Sequence, residues 1–179
     1  MTPGAIAQDG FLTTHLIESL NVPERELIKE YLGRPDDIIE TPTPAQRMIY
    51  GETRRRIPEL WDVDNPVMAG IVQNQDAYMQ SVAAQRPFFF DHIQGLTDQA
   101  FDEYAKLTGR KYGRVMTYKA DDADYLIVGQ GSVVPSSEAV VDYLRKTRNL
   151  KVGVVDLVMF RPFPADILSK ILKGKKGIV

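Results

Sequence analysis

The chain has 179 residues, 44% of them hydrophobic and 26% charged, with a formal net charge of −2; this is the make-up of an ordinary soluble globular protein with room for one good core or two small ones. So slight a charge provides no broad basic surface, which removes nucleic acid and anionic membrane as default partners. Zero cysteines exclude disulfides, a thiolate nucleophile, and any iron–sulfur cluster or zinc site held by this chain's own thiolates.

No apolar run approaches the ~20 residues of a membrane span. Met1 to Ala7 lacks the basic end and long apolar stretch of a signal peptide, so the cytoplasm is the expected location. Leu12, Leu16, Ile17 and Leu20 fall at helical spacing and predict a first helix. Pro23 then suits a first helical turn, and Leu27, Ile28, Tyr31 and Leu32 carry a second helix to Gly33. Prolines 35, 42, 44, 58 and 66 break up the next stretch, where helix is expected only around Ala45 to Arg56. On that expectation Arg54-Arg55-Arg56 forms a solvated helix face. Asn74 or Asp76 caps a helix running through Val82. The apolar block Phe88-Phe89-Phe90 reads as core and precedes a helix starting near Thr97 and Asp98. Its face is Phe101, Tyr104, Ala105 and Leu107, and Gly109 ends it. Arg110 to Ala120 reads as a strand.

The last third is the most regular. Asp124 to Val128 is a continuous apolar strand closed by Gly129-Gln130-Gly131. Ser136 or Ser137 caps a helix with Ala139, Val140, Tyr143 and Leu144 as its apolar face, ending near Asn149. Leu150 to Met159 is a second buried strand, Pro164 leads a helix with Ile167, Leu168, Ile171 and Leu172, and Gly177-Ile178-Val179 begins another strand. Apolar runs alternating with amphipathic helices predict an α/β fold: a helical N-terminal half followed by a mainly parallel, doubly wound open sheet. A chain ending inside a strand is expected to be incomplete.

Chemistry-bearing motifs are sparse. Gly129 and Gly131 lie between a strand and a helix, where backbone N–H groups can receive a phosphate, but position 134 is Val134 instead of a third glycine. A tight strand-to-helix turn is the simpler reading. The only histidines are His15 and His92; they form no metal-binding pair, and no GxSxG elbow is present. Asp121, Asp122 and Asp124 read as a solvated acidic loop. Neither a catalytic constellation nor a metal site is expected in this chain.

Four segments in order carry a resemblance. They are Asp9-Gly10-Phe11-Leu12-Thr13-Thr14-His15, Val72-Gln73-Asn74-Gln75-Asp76-Ala77-Tyr78, Tyr104 through Tyr112, and Phe160-Arg161-Pro162-Phe163. Together the chain resembles the 2-oxoacid:ferredoxin oxidoreductases, with pyruvate:ferredoxin (flavodoxin) oxidoreductase nearest in pattern. The resemblance implies that residues 1–110 are the tail of a thiamine diphosphate pyrimidine-binding domain with connecting helices. Residues 111–179 are then a truncated transketolase C-terminal-like α/β domain. It also implies oxidative decarboxylation of a 2-oxoacid with coenzyme A, using thiamine diphosphate, magnesium and iron–sulfur clusters, with ferredoxin or flavodoxin receiving electrons. The family's Gly-Asp-Gly diphosphate cradle and its cluster cysteines are absent here, and its pyrimidine-side glutamate lies N-terminal to anything matched. The chain is therefore expected to bind none of these cofactors alone and to be structural and interfacial. Its expected partners are the remaining domains or subunits, in a homo-oligomer. Thr14 and His15 are implied to face the active site, and Asn74, Gln75 and Asp76 to line a substrate route or a subunit interface. Arg161, after a parallel strand, is expected to form a domain-to-domain salt bridge or to meet an anionic ligand. The competing reading is a stand-alone module binding a nucleotide or coenzyme A at Gly129–Gly131.

Overall fold

The computed structural model describes residues 4–17, 19–34, 36–57, 63, 72–87 and 90–179. They fall into two units, one comprising residues 21–109 and the other residues 4–20 with 110–179.

In the first unit, α1 (Arg25–Leu32) ends at Gly33, whose φ of 80° favours glycine. Strands β1 (Ile38–Glu40) and β2 (Thr53–Arg55) pair antiparallel around α2 (Pro44–Tyr50). The helix expected through Arg56 therefore stops at Tyr50. Gly51, at φ 81°, turns the chain, and Arg54 and Arg55 lie in a strand instead of on a helix face. Buried Thr41 fixes that turn: its N–H donates to Glu52 O at 2.9 Å and its hydroxyl to Gly51 O at 2.7 Å. Helix α3 (Gln75–Gln85) follows Asn74, as expected, although the Asn74 side chain makes no capping bond. Helix α4 (Ile93–Thr108) ends at Gly109 in the left-handed conformation. It begins before the expected Thr97, whose hydroxyl donates back to Ile93 O at 2.8 Å. Tyr31 ties α1 to α4 through its hydroxyl, 3.1 Å from Ala100 O, and an edge contact with Tyr104. Phe88 and Phe89 lie outside the described residues.

The second unit is a four-stranded sheet ordered β3-β5-β4-β6, built from β3 (Val115–Tyr118), β4 (Tyr125–Gly129), β5 (Val152–Leu157) and β6 (Gly177–Ile178). Strand β4 is parallel to both β5 and β6, while β3 runs antiparallel to β5. Helix α5 (Val133–Arg148) connects β4 to β5, and α6 (Ala165–Leu172) connects β5 to β6. Alternation along the strands sends side chains to two layers. Val152 and Val154 pack with Val134 and Val141 of α5, and Val155 and Leu157 pack with Leu126 and Leu168 of α6. The sheet is thus α/β, mixed but mostly parallel, with a helix on each face.

Two details of α5 depart from expectation. It starts at Val133, so Ser136 and Ser137 are inside it, and the Ser137 hydroxyl donates to Val133 O at 2.8 Å. Its buried face is Val134 and Val141 with Leu144 partly covered, while Ala139, Val140 and Tyr143 are exposed. The sequence carries two overlapping apolar stripes, and the sheet takes the one whose valines meet β5. Arg145 on the same side donates to Val152 O, Lys119 O and Asp122.

Gly153 marks the closest approach in this unit. A Cβ there would lie 2.6 Å from Lys119 O and 2.8 Å from the Ala120 Cα, backbone atoms that cannot swing aside. Gly153→Ala is expected to cost about 3 kcal/mol, seen as a lowered denaturation midpoint in urea with an unchanged slope.

Candidate functional site

In the second unit the carboxyl ends of β4 and β5 lie side by side. Gly129 is paired with Asp156, and the two outgoing loops turn to opposite faces, toward α5 and α6. Open α/β sheets bind ligands at such switch points. Gly131 has φ 66°, and a Cβ on Gly129 would come 3.1 Å from Val133 Cγ1, so both glycines serve a close turn. Gln130 bridges the strands, its Nε2 donating to Leu157 O at 3.4 Å.

The electrostatics of this end are mainly acidic. Ser132, the residue before α5, makes no capping bond to its own helix; its hydroxyl instead donates to Asp9 Oδ2. That hydrogen bond, helped by the Leu12 and Phe11 N–H groups, holds the Asp9 carboxyl below its ordinary value of 3.8. Asp156 is pushed up by burial and by the nearby charge of Glu138. A carboxylate of the chain itself thus sits where a phosphate would approach the α5 N-terminus.

The buried cation here is Arg114. Its side chain is 8% exposed, and its guanidinium meets Asp166, in the first turn of α6, at 3.2 and 3.3 Å. Its carbonyl receives Met159 N–H at 3.0 Å, so one residue ties β3 to the loop after β5 and to α6. The arginine singled out from the sequence, Arg161, is exposed in that same loop, which carries a cis Arg161–Pro162 bond and the edge-on pair Phe160 and Phe163.

Thr14 and His15 belong to this unit too. Residues 12–17, 19 and 20 do not form the expected helix: a single turn follows Asp9, closed by His15 N–H to Phe11 O at 3.2 Å, and Leu12, Leu16, Ile17 and Leu20 stay exposed. Among the described residues no surface buries that stripe, and the cost of nucleating a longer helix is not recovered. The Thr14 hydroxyl lies 3.0 Å from His15 Nδ1. Asn74, Gln75 and Asp76 are exposed at the start of α3 in the other unit. The structure therefore groups Gly129, Gly131 and Arg161 at one end of the sheet. Asp9, Ser132, Arg114 and Asp156 join this end without any local sequence signal, apart from the Ser after a glycine turn.

Residues 123–179 match the model of pyruvate:ferredoxin oxidoreductase core domain II. Over 98% of its length the chain is 27% identical to pyruvate synthase subunit PorA of Pyrococcus furiosus, covering 39% of that protein. PorA of Thermotoga maritima is 29% identical over 99% of the chain and is 40% covered. A probable pyruvate-flavodoxin oxidoreductase of Escherichia coli is 33% identical over 93% of the chain, with 13% of its own length covered. Over nearly its whole length the chain is thus similar to proteins of the 2-oxoacid:ferredoxin oxidoreductase family. It spans about two fifths of the PorA relatives it matches, at 39 to 40% of their length.

No cluster of three His, Cys, Asp or Glu side chains able to hold a metal occurs among the described residues, and the carboxylates Asp9, Asp156 and Glu138 would repel a diphosphate at the glycine turn. No helix among the described residues is long and apolar enough to cross a membrane.

The Arg114 pair yields a test with a definite sign. Asp166 is held below 3.8, first by its hydrogen bond from Arg114. Its stabilising effect is therefore complete above the ordinary value and is lost as pH falls through the lower folded-state value. Asp166→Asn should lower Tm at neutral pH, and the gap from the parent chain should close as the medium is acidified well below 3.8.

Proposed function

We propose that this chain is part of a 2-oxoacid:ferredoxin oxidoreductase acting on pyruvate in the cytoplasm. The complete enzyme decarboxylates the oxoacid oxidatively, conserves the acyl group as acyl-coenzyme A, releases CO2, and passes electrons one at a time to ferredoxin or flavodoxin. The observation carrying this reading is the alignment of nearly the entire chain, 98%, with pyruvate synthase subunit PorA. Within this proposal, residues 1–110 are the tail of the pyrimidine-binding domain with its connecting helices, and residues 111–179 are the transketolase C-terminal-like domain.

The role of the chain itself is structural and interfacial. Thiamine diphosphate, magnesium and the clusters belong to other parts of the enzyme, and no chemical step is assigned to a residue here. Thr14 and His15 face the active-site side, Asn74, Gln75 and Asp76 line a substrate route or subunit contact, and Arg161 pairs with a carboxylate of another domain. Assembly is with the remaining domains or subunits in a homo-oligomer. The acidic surroundings of Gly129 and Gly131 speak against the alternative of a nucleotide- or coenzyme A-binding module.

Reconstitution tests the proposal. Mixed with polypeptides supplying the rest of a PorA-length chain and the other subunits, this chain should restore pyruvate- and coenzyme A-dependent reduction of ferredoxin. Alone it should give none. Micromolar binding of coenzyme A or ADP to the isolated chain in calorimetry, with no association with the other polypeptides, would overturn it.

A further inference from the structure

We infer that Asp9 is a positioning residue, whose carboxylate fastens the Gly10–His15 turn to Ser132, just after the glycine turn that ends β4, and so orders the His15 imidazole. A lone helical turn is unstable in water because nucleation fixes several residues for one hydrogen bond. Burial does not supply the missing stability, since Phe11, Leu12, Leu16 and Ile17 are exposed. The remaining restraints converge on Asp9. Its Oδ1 accepts the N–H groups of Phe11 at 3.1 Å and Leu12 at 3.0 Å, its carbonyl accepts the Thr13 hydroxyl, and its Oδ2 accepts the Ser132 hydroxyl.

The Ser132 side of the contact is equally specific. A serine before a helix normally accepts an N–H from the first turn, which requires an extended backbone. Ser132 instead has φ −64° and ψ −16°, already helical, and makes no such bond. Its hydroxyl is left to donate across 123 residues of sequence to Asp9. One carboxylate oxygen thus caps the turn while the other anchors it to the sheet unit.

The held object is the His15 ring. Phe11 stacks on it with centroids 4.6 Å apart and planes at 21°, and the Thr14 hydroxyl engages Nδ1 at 3.0 Å. The ring is thus held at its face by Phe11 and at Nδ1 by Thr14. This geometry is a property of the chain alone and does not depend on the proposed oxidoreductase activity.

Amide hydrogen exchange and the His15 ring resonances, read by NMR on the full chain, test the latch. Asp9→Ala should speed exchange at Leu12 and His15 about fivefold, the effect of losing a cap, and should broaden or shift the His15 ring signals. Ser132→Ala should act in the same direction, and the double variant should be no worse than Asp9→Ala, because both remove one contact. Asp9→Asn, whose amide oxygen caps equally well, should restore Leu12 protection. Exchange at Val154 and Val155 should not change, which separates local release from unfolding. Should Asp9→Ala fail to fold, Ser132→Ala and Asp9→Asn give the same decision. Parent-like His15 signals in Ser132→Ala, or effects that simply add in the double variant, overturn the inference.

Discussion

Strand β5 is the constraint on which the second unit depends. Val154 and Val155 are consecutive, almost wholly inaccessible, and face opposite layers, so the strand is covered above and below while β3 and β4 pair with its two edges. Such a strand has no polar face to spare. Each neighbour must therefore bring apolar side chains at matched register: Leu126 and Leu168 on one layer, Val134 and Val141 on the other. Gly153 lets the chain at Lys119 and Ala120 cross against the strand itself.

The candidate site follows from the same arrangement. Because α5 and α6 cover opposite faces, the loops leaving β4 and β5 diverge, and their shared carboxyl end becomes the open corner of the unit. The side chains gathered there are not those of a phosphate site. Asp9 occupies the approach to the α5 N-terminus, Asp156 and Glu138 add further negative charge, and the buried arginine is committed to Asp166. Gln130, the turn glycines and Arg114 stitch this corner together.

Local signals in the sequence located much of this. Continuous apolar runs marked β4 and β5, and Gly33 and Gly109 marked helix ends through conformations that favour glycine. Errors arose where one residue type supports two local structures. Thr97 and Ser137 look like helix caps, yet both sit inside helices and donate to the carbonyl four residues earlier. Likewise the stripe Leu12, Leu16, Ile17 and Leu20 has helical spacing but is left exposed among the described residues, and spacing alone does not stabilise a helix.

Sequence by itself determined the α/β class, the order of strand and helix in the last third, and the family motifs, since these rest on periodicity and on residues adjacent in the chain. Tertiary structure decided which stripe of α5 is buried, that β3 runs antiparallel, and that Asp9 meets Ser132 and Arg114 meets Asp166. Each of these turns on partners that are distant in sequence and become neighbours only when the sheet forms. Periodicity says that a face is apolar; only the packed sheet selects the face, because burial is a property of two surfaces together.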